Sequence, residues 1–551
     1  MRRLLGFVLV LLFVMPLMAG IAGTLFPAFG LVPNIAPGNG LKTLISDPRF
    51  IPSVLLTLKT GLVATALVLA ITLLTLVCAY GGRLWQWLMA CLPPLLAVPH
   101  AAMAVGLVFL LSPSGWLVRL VSPTFTGLDR PPTAWVVPDG GGWSLILGLL
   151  VKETPFLLLA AAAQLSTINV SSSLRIGRTL GYSPSRCWSR LILPQLYSRI
   201  RLTLFVILAF NLSVVDMAIL LGPGNPPTFA VFLLTLVYEP DARAAASWGA
   251  LLLAFGVVLL IGSAVLLERM IGYVANRRRE SGHRGKALQP LRTAGQGVVV
   301  GLFAISAFAM LVLLAWSVTR RWRFPDAVPS QFTLDNWVSR SDLWLSPMLC
   351  TIVFALFTVV TAVVAAIIWL ECERYGKVPK VDWLWYTPLL VPQITLLFGW
   401  QAVALLLSVD GHWLTVAYAH WVYALPYVVL ILAVAWREYD PNWNHAAAVL
   451  GAGYWRILFR VRLPLMLKPV AQASAVAIAV SVAQYLPTAL LGAGRHQTLA
   501  IELVTSFGGV DRRVIATLAA LQSLLPLIAF VVALGLPHWL SRSTERSNAI
   551  A

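Results

Sequence analysis

Three charged residues stand inside long apolar runs of this 551-residue chain. Lys152 and Glu153 are adjacent and shortly precede Pro155, and Asp216 lies in the next apolar run. A charge in a membrane-embedded segment is costly, so such residues usually bind an ion or a polar solute, relay protons or pair with one another. Lys152 and Glu153 could instead form a buried ion pair or contact backbone groups that Pro155 leaves free. The chemistry indicated is the binding or passage of a polar solute.

Three uncharged polar residues lie at similar depth in the apolar runs: Asn211, Gln484 and Tyr485. Each could contact a solute, or could hydrogen-bond to a neighbouring helix, an interaction worth about 0.6 kcal/mol within a membrane. Together with the three charged residues they are the candidate pathway residues.

The composition places these residues in a membrane protein. Hydrophobic residues make up 59% of the chain and charged residues 11%, whereas soluble domains carry about 25% charged residues. The mean hydropathy is +0.84. Twelve apolar runs are long enough, at roughly 20 residues, to cross a bilayer as helices. They begin near Leu4, Val54, Leu92, Trp143, Leu202, Ser247, Val298, Met348, Leu384, Leu414, Val470 and Val514.

A sequence motif occurs twice at a fixed spacing. Both copies read Leu-Gly-x4-Arg-x3-Arg-x2-Leu-Pro, and their glycines are 451 − 181 = 270 residues apart. The same offset continues without a gap. Leu221-Gly222 pairs with Leu491-Gly492, and Asp241-x-Arg243 pairs with Asp511-x-Arg513. Such a register indicates a duplicated unit. The repeat pairs Asp216 with Leu486, so the shared scaffold does not require a carboxylate there.

The fold predicted from these features is an all-α polytopic membrane protein with about twelve transmembrane helices in two parallel six-helix repeats. We expect a first core over residues 1–267, a basic linker over 268–296 and a second core over 297–551. Binding sites in such proteins tend to lie between the repeats.

The first motif copy reads as a helix, a break and a second short helix. Leu180 ends the first helix, and Gly181 supplies the left-handed conformation that residues with a Cβ resist. Ser183 is predicted as the N-cap of the next helix, and Pro184 as its first residue. Pro194 is expected to end it. We call residues 175–194 the first elbow; Arg186 and Arg190 lie on its short helix.

The second copy has the same plan. Gly451 forms the break, Gly453 takes the N-cap position, and a helix is predicted from Tyr454 to Arg462, with Pro464 ending it. We call residues 445–464 the second elbow; its counterparts of the two arginines are Arg456 and Arg460.

The formal net charge of +19 does not indicate a nucleic-acid partner, because the basic residues cluster at the N-terminus, in the linker and in the elbows. Loops rich in Arg and Lys stay in the cytoplasm, so we predict that both termini, the linker and both elbows are cytoplasmic. One loop disagrees: Arg320, Arg321 and Arg323 follow the seventh run, where an odd number of crossings predicts the periplasm. The first run could also be a cleavable signal peptide, but its length favours a retained membrane helix.

At the elbows the chain resembles the permease subunits of binding-protein-dependent ABC importers. Their signature loop, Glu-Ala-Ala-x3-Gly-x9-Ile-x-Leu-Pro, is matched in the second half by Ala446-Ala447, Gly451 and Leu463-Pro464. The first half retains Gly181 and Leu193-Pro194. The acidic position departs from the pattern, since it is Arg175 in one copy and His445 in the other.

The resemblance covers nearly the whole chain, with two cores fused as in the thiamine and ferric-iron permeases and in the YnjC-like group. It implies that each elbow docks on a separate ATPase subunit, hence two ATPase copies, and that a periplasmic binding protein delivers a small solute. It also implies a bacterial inner-membrane location and ATP and Mg²⁺ on the ATPase, with no cofactor in this chain. The chain has no Gly-x4-Gly-Lys-Ser/Thr sequence of its own.

Two other classes of protein share some of these features. A proton-coupled transporter of the major facilitator type also has six plus six helices, but it predicts a charged Gly-x3-Asp-x-x-Gly-Arg loop after the second run, which Gly81-Gly82-Arg83-Leu84 does not provide. A membrane-embedded enzyme would need clustered His, Asp or Glu at the membrane surface, and the seven histidines are scattered. The five cysteines show no metal-ligand spacing.

Overall fold

The structure is a computed structural model. It describes residues 2–30, 39–133, 137, 139–279, 289–376, 378–509 and 511–550. Apart from one short hairpin, the regular structure of these residues is helical.

The first half is a succession of helices with two short irregular helical turns. Its α-helices are α1 (Arg2–Ala28), α2 (Gly40–Ser46), α3 (Phe50–Ala79), α4 (Arg83–Ala97), α5 (His100–Leu111), α6 (Trp116–Val121), α7 (Trp143–Leu165), α8 (Val170–Thr179), α9 (Pro184–Cys187), α10 (Leu193–Ser213), α11 (Asp216–Leu221), α12 (Phe229–Tyr238) and α13 (Arg243–Arg279). A π-helical turn, Trp188–Ile192, joins α9 to α10, and a 3₁₀ turn, Pro240–Ala242, precedes α13.

The second half repeats this order. Its elements are α14 (Gln289–Ser317), β1 (Thr319–Arg321), β2 (Gln331–Phe332), α15 (Asp335–Val338), α16 (Asp342–Arg374), α17 (Asp382–Leu390), α18 (Gln393–Leu406), α19 (Trp413–Glu438), α20 (Asn442–Val449), α21 (Tyr454–Ile457), α22 (Leu463–Leu465), α23 (Leu467–Ala483), α24 (Leu486–Leu491), α25 (Leu499–Ser506) and α26 (Arg512–Ile550). A π-helical turn, Leu458–Arg462, lies between α21 and α22. Helices α13 and α14 extend into the predicted linker from its two sides, and residues 280–288 lie outside the described part.

The described helices provide ten continuous candidate membrane spans and two more that are bent. The first bent pair is α17 with α18, at 87°, and the second is the helix ending at Leu465 with α23, at 74°. The chain bends at Val391-Pro392 because a proline cannot continue the hydrogen-bond ladder of the preceding helix. The prediction of about twelve membrane helices is thus confirmed, with two of them broken.

The first helix of each half packs mainly against the other half. α1 lies along α18 and also contacts α16, while α14 contacts α5 and α3. A Cβ added to Gly399 of α18 would overlap the carbonyl oxygen of Gly20 in α1. Gly106 of α5 approaches the backbone of Ala309 in α14 in the same way. Small residues at such crossings let membrane helices touch along their backbones, so the two exchanged helices fasten the halves together.

The crossing of α1 is hydrogen-bonded as well as tightly packed. Thr24 Oγ1 donates to the carbonyl of Thr395, 2.7 Å away. Thr395 Oγ1 in turn donates to the carbonyl of Ala250 in α13, 2.9 Å away. Because the bilayer core offers no water, such side-chain bonds satisfy polar groups that would otherwise be unpaired. α1 therefore belongs to the packed core that joins both halves.

The arginine-rich loop after α14 forms the antiparallel hairpin of β1 and β2. Arg119 of α6 is 3% exposed and donates from Nη1 to the carbonyl of Arg323 at 2.7 Å. The rings of Trp316 and Trp322 lie 5.8 and 5.3 Å from its guanidinium carbon. α6 precedes the start of α7, whose other end leads to the first elbow, so the hairpin lies at the end of the bundle away from the elbows. Counting spans predicted this position opposite the elbows, and counting the arginines of the loop did not.

Candidate functional site

Both elbows break at a glycine in the left-handed conformation, as predicted. Gly181 has φ +79° and Gly451 has φ +82°. In the first elbow the amide of Gly181 donates to the carbonyl of Arg178 and that of Tyr182 to Gly177; the second elbow repeats both bonds from Gly451 and Ala452. This is the Schellman pattern, which satisfies carbonyls left free at a helix end. The two breaks are the same structure 270 residues apart.

Pro194 does not end the first short helix, which corrects the prediction for it, whereas the second short helix ends at Leu465, one residue after Pro464. From Pro184 the helix continues through Trp188–Ile192 into α10 as one span that reaches Ser213. Its counterpart passes through Leu458–Arg462 to Leu465 and bends only there. A proline has no amide hydrogen to donate to the residue four positions earlier. The turn before each proline is π-helical, so the helix passes the proline instead of stopping. Ser183 is at the N-cap as predicted, without a side-chain cap bond.

The arginines of the motif lie at the surface of the elbows. Arg186, Arg456 and Arg460 are exposed, and Arg190 is half-buried with its guanidinium 5.5 Å from the ring of Tyr182. At the acidic position of the family pattern, Arg175 and His445 are both exposed.

The other motif residues lie just before the two glycine breaks. Leu180 and Leu450 are exposed at the C-caps of α8 and α20. Ala446 is exposed, and Ala447 supplies the carbonyl that accepts from Ala452.

The second elbow is held by a buried carboxylate that the sequence reasoning missed. Glu371 of α16 forms an ion pair with Arg462, whose side chain is 1% exposed. It also accepts hydrogen bonds from Tyr454 Oη and Trp436 Nε1, both at 3.0 Å. A buried ion pair is tolerated when further hydrogen bonds satisfy its remaining atoms. One carboxylate thus joins the second elbow, α16 and α19. No local pattern revealed it, because Glu371 and Arg462 are 91 residues apart.

A second ionic contact lies beside the first. Arg437 of α19 donates to Glu373 at 2.7 and 2.9 Å and to Asp382 at 2.9 and 2.6 Å. These bidentate pairs match the planar guanidinium to carboxylate geometry. They tie the ends of α16 and α19 to the start of α17.

Lys152 is buried and takes a structural position in the first half. Its ammonium donates to the carbonyl of Val98 at 2.6 Å and to that of Leu95 at 3.2 Å. These carbonyls lie at the break between α4 and α5, which Pro99 imposes. The two structural roles expected for Lys152 were a buried ion pair and contact with free backbone groups, and the contact with backbone groups is observed. The proline that leaves these groups free is Pro99 and not Pro155.

Glu153 is paired with a residue that the sequence reasoning did not select. His100 Nε2 lies 3.2 Å from Glu153 Oε1, and the side chains are 29% and 7% exposed respectively. His100 is the first residue of α5, directly after Pro99. The Val-Pro break that precedes it is visible in the sequence and could have marked it.

The carboxylates of the first half face tyrosines of the second. Asp216 lies at the start of α11, is only partly buried, and interacts electrostatically with His100 and with Tyr485. Glu153 interacts in the same way with Tyr427 of α19. The charge interactions of Asp216 with Tyr485 and of Glu153 with Tyr427 cross from one half to the other. We call His100, Glu153, Asp216, Tyr427 and Tyr485 the intramembrane cluster.

Asn211 and Gln484 lie within single halves. Asn211 Nδ2 donates to Thr65 Oγ1 at 3.0 Å, and Gln484 Nε2 donates to the carbonyl of His420 at 3.4 Å. Both are buried, and their amide oxygens have no hydrogen-bond partner. The structure therefore brings together three of the six candidate pathway residues and places Lys152, Asn211 and Gln484 in contacts within their own halves.

A cavity of about 240 Å³ lies between the halves on the elbow side of the cluster. α7 and α10 of the first half contribute Gln164 and Arg199, and α17 and α19 of the second contribute Tyr386 and Tyr427. Tyr427 belongs to both the cavity and the intramembrane cluster, so polar groups continue from the cavity towards Asp216.

Comparison with known proteins agrees with this arrangement. Residues 339–544 match the family model described as the binding-protein-dependent transport system inner membrane component. The inner membrane ABC transporter permease protein YnjC of Escherichia coli K12 is 33% identical over 502 residues, which cover 90% of each chain. The permease protein PhnV of Salmonella typhimurium is 26% identical over 270 residues, which cover 47% of this chain and 98% of PhnV. A single-core relative about half as long fits the duplicated fold, and on the match to YnjC the chain belongs to the family of binding-protein-dependent ABC transporter permeases.

Proposed function

We propose that the chain is the multi-pass inner-membrane permease subunit of an ABC importer, a transport protein that works with an ATPase and a binding protein. We infer that each elbow docks on one copy of a separate ATPase, so that two copies bind, and that ATP and Mg²⁺ are held by that ATPase alone. Both termini and both elbows then lie in the cytoplasm, and a periplasmic binding protein delivers the solute to the opposite face. No step requires a nucleic acid or a cofactor in this chain.

The single observation that carries this proposal is the identity of the two breaks. Each elbow projects a left-handed glycine, a Schellman turn and exposed arginines from the same end of the bundle. A rigid projection that continues unbroken into α10, or through α22 to the bend before α23, can transmit movement from a cytoplasmic subunit to the membrane helices. Two loops that only connected membrane helices would not need to share the same backbone conformation.

The docking role is tested by a double variant, Gly451→Pro with Arg460→Glu. It removes the left-handed break and reverses an exposed charge, and we expect loss of ATPase association and of ATP-dependent uptake in proteoliposomes containing the ATPase and the binding protein. A matched control is Arg269→Glu, a charge reversal on exposed Arg269 of α13 at the elbow end. Normal association and uptake by the double variant would rule out the coupling role.

We also assign the solute pathway to the intramembrane cluster and the cavity below it. Asp216 and Glu153 are the carboxylates that face the other half, and membrane-embedded carboxylates generally mark such paths. Replacing Asp216 with Asn keeps the size of the side chain and removes the charge. We expect uptake to fall while the ATPase still binds. Asn211→Ser, which changes a contact within one half, serves as the control; equal uptake in the two variants would exclude Asp216 from the path.

A further inference from the structure

The two elbows share a backbone but present different surfaces. Three positions that carry hydroxyl groups in the first elbow carry large apolar groups in the second. The pairs are Thr179 with Val449, Ser185 with Trp455, and Ser189 with Phe459. The three apolar side chains are 88%, 62% and 60% exposed, and Leu450 beside them is 85% exposed. The second elbow therefore offers a larger uncovered apolar surface than the first, which exposes Ile176 and Leu180 at 56% and 57%.

Exposed arginines, in contrast, are more numerous on the first elbow than on the second. From residue 154 to residue 215 the chain has six arginines and no Asp or Glu. Of these, Arg175, Arg178 and Arg186 are exposed on the first elbow. The second elbow exposes Arg456 and Arg460, and its remaining arginine, Arg462, is buried against Glu371. Neither elbow contains an acidic residue.

Membrane topology alone explains basic residues near a cytoplasmic boundary. It does not explain why Arg186 and Arg456 occupy equivalent exposed positions beyond each break. A surface that is basic at equivalent points on both elbows fits an acidic partner surface, because complementary charge favours correct association and like charge opposes it. Exposed apolar patches in turn mark protein contacts.

We propose that each ATPase copy meets its elbow with an acidic surface that pairs with the shared arginines, and that apolar contacts hold the copy on the second elbow more firmly. This inference rests on the proposed docking function. Its physical consequence is a difference in salt sensitivity. Salt screens exposed ion pairs, with a screening length near 10 Å at about 0.1 M and near 3 Å at about 1 M, and it does not weaken apolar contacts. The copy on the first elbow is the salt-labile one.

The test uses the complex purified through a tag on this chain, with the bound ATPase identified by peptides containing its Gly-x4-Gly-Lys-Ser/Thr sequence. Native mass spectrometry without nucleotide measures copies bound per permease from about 0.05 M to about 1 M ammonium acetate. We expect two copies at low salt, then a species with one copy, then none. Loss of both copies in one step, or no loss at all, would overturn the inference. Absence of any such ATPase at low salt would instead contradict the proposed function.

Two variants identify which copy is which. Arg186→Glu should remove one copy already at low salt, with affinity lowered roughly tenfold or more, whereas Arg269→Glu should leave both. Leu450→Ser with Phe459→Ser removes apolar groups from the second elbow without changing charge, and should make the remaining copy leave at the salt concentration that releases the first. If Arg186→Glu retained both copies, or the serine variant kept a salt-resistant copy, the assignment of charge to one elbow and apolar contact to the other would be wrong.

Discussion

Ile192 and Arg462 occupy equivalent positions in the two repeats, and both are buried, at 0% and 1% exposed. In the first half Ile192 belongs to an apolar base in which Trp188 packs against Tyr80, with ring centres 5.3 Å apart. In the second half Arg462 is paired with Glu371. α3, the counterpart of α16, contains no Asp or Glu. The same backbone is therefore supported in one half by apolar packing and in the other by a buried ion pair.

The first half shows that the elbow does not need ions to fold. A buried ion pair is often no more stabilising than apolar residues of similar volume, because removing the charges from water costs about as much as their attraction returns. What the ion pair adds is connection. Glu371 contacts Arg462, Tyr454 and Trp436, which fixes the second elbow to α16 and α19 by directional bonds. Among the described residues, the apolar base of the first elbow is packed around Ile192 and Trp188 without an ion pair of either residue.

The largest effect is expected from placing the second base in the first half. Ile192→Arg buries a charge where α3 supplies no carboxylate. The unpaired charge costs about 3–5 kcal/mol, and the longer side chain adds about 1–3 kcal/mol of overpacking. We expect loss of folded protein, measured by fluorescence-detected size exclusion. Ile192→Val, at about 0.5–1.5 kcal/mol, is the control. Normal yield of the arginine variant would show that the first base is not a closed apolar site.

The reverse exchange should have a smaller effect and can be rescued. Glu371→Ala leaves Arg462 unpaired and should cost about 3–5 kcal/mol, seen as a lower melting temperature of the purified protein. Glu371→Leu combined with Arg462→Met imitates the apolar base of the first half and should restore most of the loss. A double variant as unstable as the single one would mean that the ion pair is required for folding, contrary to the comparison.

The sequence predicted the parts of this molecule that depend on local chemistry. Gly181 and Gly451 were placed in the left-handed conformation because only glycine adopts it without strain. The twelve spans followed from apolar length. The sequence did not reveal contacts between distant segments, such as Glu371 with Arg462, His100 with Glu153, or the exchange of α1 and α14. These depend on packing between helices, and a single sequence does not state which helices pack together.

Local chemistry was also misread at one point. Pro194 and Pro464 were expected to stop their helices, on the rule that proline breaks the hydrogen-bond ladder. Each proline does lack the amide hydrogen that the helix would use, but the turn before it is π-helical, and the helix continues past the proline without that hydrogen bond. In the first half this turn makes the elbow continuous with α10, whereas in the second half the helix extends to Leu465 and bends there by 74° against α23. The error therefore concerned the mechanical link between elbow and membrane helix.

The smallest predicted effect tests whether the two glycine breaks are equally sensitive to substitution. A Cβ at Gly451 would meet no atom within 4 Å, so Gly451→Ala costs only the strain of the left-handed conformation, about 1–2 kcal/mol. Gly181, at nearly the same φ, should lose a similar amount on replacement by Ala, measured as equal shifts of the melting temperature. Asn at either position should cost less, because its side chain tolerates this conformation. A clearly larger decrease in melting temperature for Gly181→Ala would contradict this expectation. It would mean that the apolar base tolerates a strained break less well than the ion-paired base does.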